Sequence, residues 1–188
     1  MKKYFLMAGI AMSLISCKQE KTNETVSSED LTTKENVETP KSETKTYNIA
    51  AKSDTKTSGT VTFTQNGEEV SMTIDAKNLT PGTHAVHIHE FGDCSAADAS
   101  SAGGHWNPST DDHGKWGEEH HHMGDIGNLE ADDNGNATLT FSTNKWSLGG
   151  DATTNILGKT LIIHADKDDF KTQPTGNAGG RVGCVEIK

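Results

Sequence analysis

The sequence predicts an all-β domain, an antiparallel sandwich or barrel of about eight short strands. Three observations predict it. Short runs along residues 46–188 alternate apolar and polar side chains, the period-two signature of half-buried strands. Asn-Gly pairs stand between such runs, at Asn66-Gly67 and Asn134-Gly135, and mark hairpins. Aromatic residues make up only 5% of the chain, whereas Gly, Ser, Thr, Asn and Asp are plentiful, a mix that favours strands and turns over helices. The 188 residues suffice for one domain with a real core.

The elements follow in order. Tyr47–Ala51 is the first expected strand. Val61 and Phe63 alternate with polar residues, Asn66-Gly67 turns the chain, and Val70, Met72 and Ile74 alternate again. Leu79-Thr-Pro-Gly82 makes the next turn and Thr83–His89 the next strand. Asn134-Gly135 joins Gly127–Glu130 to Ala137–Phe141, and Thr160–Ala165 and Arg181–Ile187 complete the set. Residues 90–123 break the pattern as a long, apolar-poor stretch. Loops beyond about 12–15 residues inside a compact domain are usually functional or disordered. Residues 166–180 form a second irregular stretch.

The chemistry concentrates on histidines. His87 and His89 are two apart on an expected strand, so both imidazoles face one side and can reach one metal ion. His105, His113, His122, Asp125 and His164 follow. Together these are six imidazoles and a carboxylate, enough for two metal sites, and imidazole suits copper and zinc alike. His84, three residues before His87, faces the opposite side and reads as structural.

Net charge is -10, which excludes nucleic acid and an electrostatic grip on anionic lipid. All of it lies in residues 46–188, because the seven lysines and seven acids of residues 1–45 cancel. Residues 1–16 read as an export leader: Lys2 and Lys3, then an apolar stretch from Phe5 to Ile15 that is too short to span a bilayer. It ends in Leu14-Ile15-Ser16-Cys17, which resembles a bacterial lipobox with Cys17 as the lipidated mature N-terminus. Residues 17–45, polar and nearly free of apolar anchors, read as a disordered tether, and residues 46–188 as the folded domain. With Cys17 lipidated, Cys94 and Cys184 remain as an even pair in a disulfide-permissive compartment.

Four blocks carry a resemblance: His87-Ile-His-Glu-Phe-Gly-Asp93, Gly104-His-Trp-Asn-Pro108, His122-Met-Gly-Asp-Ile-Gly-Asn128 and Gly176-Asn-Ala-Gly-Gly-Arg181. Together, in this order, they resemble the signature blocks of copper/zinc superoxide dismutases. The resemblance implies an eight-stranded Greek-key β-sandwich or barrel with long metal-binding and active-site loops. It implies one copper per subunit on His87, His89, His105 and His164, and one zinc on His105, His113, His122 and Asp125, with His105 bridging. That division suits the ions: three imidazoles and a carboxylate make a closed tetrahedral zinc site, and four imidazole nitrogens suit tetragonal Cu(II). The resemblance makes Asp168 the outer carboxylate linking His87 to His113, Arg181 the arginine beside the open copper position, and Cys94–Cys184 an intrasubunit disulfide. The triple His120-His121-His122 departs from a pattern that needs one ligand, and the spacing to Gly124-Asp125 selects His122. The placing of Cys94 directly after Asp93, and the run Gln173–Asn177, resemble bacterial members more than eukaryotic ones.

The function implied is disproportionation of superoxide to oxygen and hydrogen peroxide by an exported protein, anchored by lipid to a bacterial membrane. Its partners would be superoxide, that membrane and, as a homodimer, a second copy. The alternative is a non-catalytic copper/zinc carrier on the same fold. Such a carrier would be expected to lack a copper ligand, the bridge or the arginine, and all are present.

Overall fold

The structure, a computed structural model, describes residues 42–188. The expected leader, Cys17 and all but the end of the expected tether lie outside the described residues. Nine strands form one antiparallel sheet: β1 (Glu43–Asn48), β2 (Ala50–Ala51), β3 (Ser58–Asn66), β4 (Glu69–Lys77), β5 (Gly82–His89), β6 (Asp125–Ala131), β7 (Ala137–Thr143), β8 (Thr160–His164) and β9 (Arg181–Glu186). The only helix among the described residues is a single 3-10 turn at Ser100–Ala102.

The order across the sheet is β1-β3-β4-β7-β6-β5-β8-β9-β2. Its two ends are neighbours in the chain. The expected first strand is split at buried Ile49: β1 pairs with β3, while β2 pairs with β9. One short segment therefore belongs to both edges and brings the sheet to a nearly closed barrel. β1 also starts at Glu43, inside the stretch read as tether. Its apolar hold is confined to Tyr47, which packs on the core against Phe63. Six backbone pairs with β3 and the hydroxyl contacts Thr44–Thr64 and Thr46–Thr62 extend it, and these leave little hydrophobic signal.

The alternation places the core as expected. Val70, Met72, Ile74 and Ala76 point inward from β4, all fully buried, opposite Val61 and Phe63 of β3. Each large side chain so buried stabilises by about 1.5–3 kcal/mol. The first hairpin turns at Gly67 and Glu68, because Asn66 is itself paired with Glu69, and Gly67 takes the positive φ of 59° that favours glycine. The second runs through a five-residue loop in which Asp132 Oδ1 accepts from the Asn134 and Asn136 amides, both at 2.8 Å.

Cys94 and Cys184 are disulfide-bonded across 90 residues. Closing a loop of that length stabilises by about 4–5 kcal/mol in the chain-entropy account. It ties the start of the 90–123 stretch to β9, beside Arg181.

Candidate metal centre

Period two on β5 separates two jobs. Val86 and Ile88 enter the core, and His87 and His89 face the other side, where the long loops bury them completely. Two register slips place the remaining partners. Between Val86 and His87 the ladder slips so that His87 stands opposite Asp125 at the start of β6. Between Ile163 and His164 it slips so that His164 stands opposite Arg181. Bulges of this kind re-aim side chains. His105 joins through an isolated antiparallel bridge to His89.

The result is two groups of donors that share one ring. His87, His89, His105 and His164 form the first, and His105, His113, His122 and Asp125 the second. Within each, the ligand atoms all lie within 4.8 Å of one another, and every residue is buried. The backs of the rings are tied down. His89 Nδ1 donates to the Gly103 carbonyl at 3.0 Å, and His164 Nδ1 faces the Gly179 carbonyl at 3.4 Å. His87 Nε2 and His113 Nε2 donate to the two oxygens of Asp168, each at 2.9 Å. Such bonds fix tautomer and ring orientation and leave the inner nitrogen as a lone-pair donor. Gly176, at φ +68°, passes over the Asp168–His113 contact, where an added Cβ would lie 1.9 Å from Asp168 Oδ1.

The inner atoms are what a metal requires. His87 Nδ1, His105 Nε2 and His113 Nδ1 are buried without a hydrogen-bond partner. Unpaired buried polar atoms are costly and rare. His89 Nε2 and His164 Nε2 converge to 3.3 Å, and His105 Nδ1 and His122 Nδ1 to 3.4 Å, as donors aimed at a common point do. Asp125 lies 2.8 Å from His105 Nδ1, 3.0 Å from His113 Nδ1 and 3.2 Å from His122 Nδ1. Its Oδ2 also accepts from the amides of Gly114 and His122. The residues present fit two cations.

The electrostatics agree for the metal-free chain. Burial holds His89 and His164 well below the usual imidazole range, lowers His87, and takes His105 to about 4. These rings are neutral, as ligation demands. Burial also opposes charge on His113, but the carboxylates of Asp125 and Asp168 beside it outweigh that and raise it to about 9. Burial pushes Asp125 and Asp168 up, yet their histidine contacts win and hold both well below the carboxylate range. The second group thus gathers charge of both signs that a bound cation would reorganise.

Arg181 is half-buried and reaches from β9 to the loop that follows Cys94. Nη1 donates to the Ala99 carbonyl and Nη2 to the Gly103 carbonyl, both at 2.6 Å. The Gly103 oxygen also takes the His89 proton, so one carbonyl fixes both the arginine and a ring of the first group.

Among the triple histidines only His122 enters a group. His120 is exposed near Asp111, at 3.6 Å. His121 is half-buried, donates to the Glu118 carbonyl and meets Trp116 edge-on. Alanine at His122 is expected to lose one metal equivalent per chain, and alanine at His120 or His121 none. Metal stoichiometry on the three variants checks this, and loss at His121 with retention at His122 would show the register to be off by one. His84 does not face either group. It is buried between the carbonyls of His164 and Thr80, at 2.7 and 2.8 Å.

Sequence reasoning missed three supporting side chains. Asn128 brackets the Asp168 backbone, donating to its carbonyl and accepting from its amide. Gln173 does the same for His113. Trp146, 1% exposed, donates its indole N–H to the Met123 carbonyl. Nothing local marks these contacts, which span 40, 60 and 23 residues.

The family model described as copper/zinc superoxide dismutase (SODC) matches residues 57–187. The chain is 37% identical over 147 residues to "Superoxide dismutase [Cu-Zn]" of Onchocerca volvulus, covering 72% of this chain and 91% of that protein. It is 38% identical over 136 residues to "Extracellular superoxide dismutase [Cu-Zn]" of Brugia pahangi, covering 68% of this chain and 67% of that one.

Proposed function

The chain belongs to the copper/zinc superoxide dismutase family, and on that premise we propose how its residues divide the work. The reaction is the conversion of two superoxide anions and two protons to oxygen and hydrogen peroxide, with copper and zinc as cofactors. When bound, copper supplies a one-electron Cu(II)/Cu(I) couple, and zinc a fixed charge without redox chemistry.

The single observation that carries the assignment is His105. It alone belongs to both groups, with Nδ1 in the second and Nε2 buried and unpartnered. His87, His89, His105 and His164 hold copper, and His105, His113, His122 and Asp125 hold zinc. His105 Nε2 is the atom that carries a proton toward the reduced product. His87, His89 and His164 are held from behind, so little reorganisation is needed between half-reactions. Asp168 orients one ring of each group. Arg181, clamped by two carbonyls, presents a cation to the incoming anion and returns to the same place each turnover.

Metal content and dismutase rate measured on one sample test the reading. One copper and one zinc per chain with fast turnover is expected. Stoichiometric metal without turnover would make the protein a carrier.

The finer placement rests on the N-terminal sequence. The leader ending at Cys17 supports a bacterial lipoprotein, exported and held at a membrane by lipid; self-association as a homodimer is compatible with it. The disulfide and the extracellular relative fit export. Among the described residues no helix is long and apolar enough to cross a membrane. Anchoring by more than one acyl chain is stable, so the full chain should sediment with membranes and Cys17→Ser should release it. An unmodified mature N-terminus in mass spectrometry would refute the anchor.

A further inference from the structure

His113 and His122 lie in irregular chain, outside every strand. The other members of the second group are tied to the sheet: Asp125 starts β6, and His105, though also outside every strand, makes an isolated bridge to His89. Something else must hold the two loop ligands, because ligand geometry tolerates only about 0.5 Å of error. Two side chains with no part in the reaction are placed to do it.

Trp146 follows β7. Its ring packs against Phe141 and Trp116, with centroids 5.0 and 5.9 Å apart. Its N–H meets the Met123 carbonyl at 2.9 Å. Met123 stands between His122 and the Gly124-Asp125 turn, so the bond fixes the peptide that joins two ligands. From the other side, Gln173 brackets the backbone of His113. Its Oε1 accepts from the His113 amide and its Nε2 donates to the His113 carbonyl, both at 2.8 Å. His113 is also the ring whose Nε2 meets Asp168. Both clamps act on backbone, and neither side chain belongs to a ligand group.

We propose that Trp146 and Gln173 are positioning residues for zinc: they hold the backbone at Met123, between His122 and Asp125, and at His113 in the ligating arrangement and so set how long zinc is retained. The proposal rests on the zinc reading of the second group. If the two residues were merely packing, their loss would weaken the whole barrel, and both metals would leave together.

The test uses full-length, metal-loaded protein. Zinc transfer to an excess of chromogenic chelator is followed for the parent, Trp146→Phe and Gln173→Ala, with bound copper read on the same samples. Phenylalanine keeps most of the ring packing and removes the N–H. Each substitution is expected to speed zinc release about tenfold, the lower end of what outer partners of metal ligands contribute. Copper retention should not change, and cobalt(II) placed in the zinc position should show an altered visible spectrum. Zinc release at the parent rate in both variants, or parallel loss of both metals, would overturn the proposal. Should Trp146→Phe fail to fold, Gln173→Ala, at an exposed position, decides alone. A parent that takes up no zinc would instead overturn the zinc reading itself.

Discussion

His105→Ala will separate the two metal groups and lower superoxide turnover by about a hundredfold or more, the usual range for losing a positioned proton donor. The structure explains why the effect should exceed that of an ordinary ligand loss. His87, His89 and His164 remain, with their back nitrogens still bonded to Asp168, Gly103 and Gly179, so copper can stay bound. His113, His122 and Asp125 likewise remain for zinc. What disappears is the shared ring, and with it the proposed proton carrier at Nε2. The copper(II) spectrum should change even where stoichiometry does not. Pulse radiolysis on the same variant measures the rate, and an unchanged rate would sink the bridging assignment.

Arg181→Glu will slow the reaction by roughly ten- to hundredfold, on the scale of electrostatic steering, and Arg181→Lys by less. The domain is negative and its substrate is an anion, so distant charge opposes encounter. At physiological ionic strength the Debye length is about 8 Å, which screens remote acids but not the arginine beside the first group. Local attraction should therefore dominate, and the rate should fall as salt rises. Burial lowers the Arg181 pKa from its ordinary value, but guanidinium remains a cation at any working pH. Lysine keeps the charge but not the planar fork that spans the Ala99 and Gly103 carbonyls, which accounts for the intermediate loss. A rate that climbs with salt, or an Arg181→Glu variant as fast as the parent, would show that Arg181 does not guide the substrate.

Much of the barrel was legible because its signals are local. Alternation along β3 and β4 and turn chemistry at Gly67 act within a few residues. The strand limits nevertheless moved. β6 begins at Asp125, two residues before the expected Gly127, because pairing with β5 around a bulge decides its start. The split at Ile49 and the early start of β1 were invisible, since they depend on which distant edge offers backbone partners.

The site divides in the same way. By itself, the sequence determined the donor set, the common face of His87 and His89, and the selection of His122 over its two neighbours by its spacing to Asp125. It also placed Cys94 and Cys184 as an even pair. Tertiary structure brings together what the resemblance had implied, His105 in both groups and Asp168 between His87 and His113, and it alone decided that Arg181 shares the Gly103 carbonyl with His89. It alone revealed Asn128, Gln173 and Trp146 as backbone clamps. The physical reason is range. Residue type and a period of two are properties of neighbouring residues, readable in a short window. A hydrogen bond such as His87–Asp168 joins groups 81 residues apart, and only barrel closure, the two register slips and the disulfide bring such groups within reach.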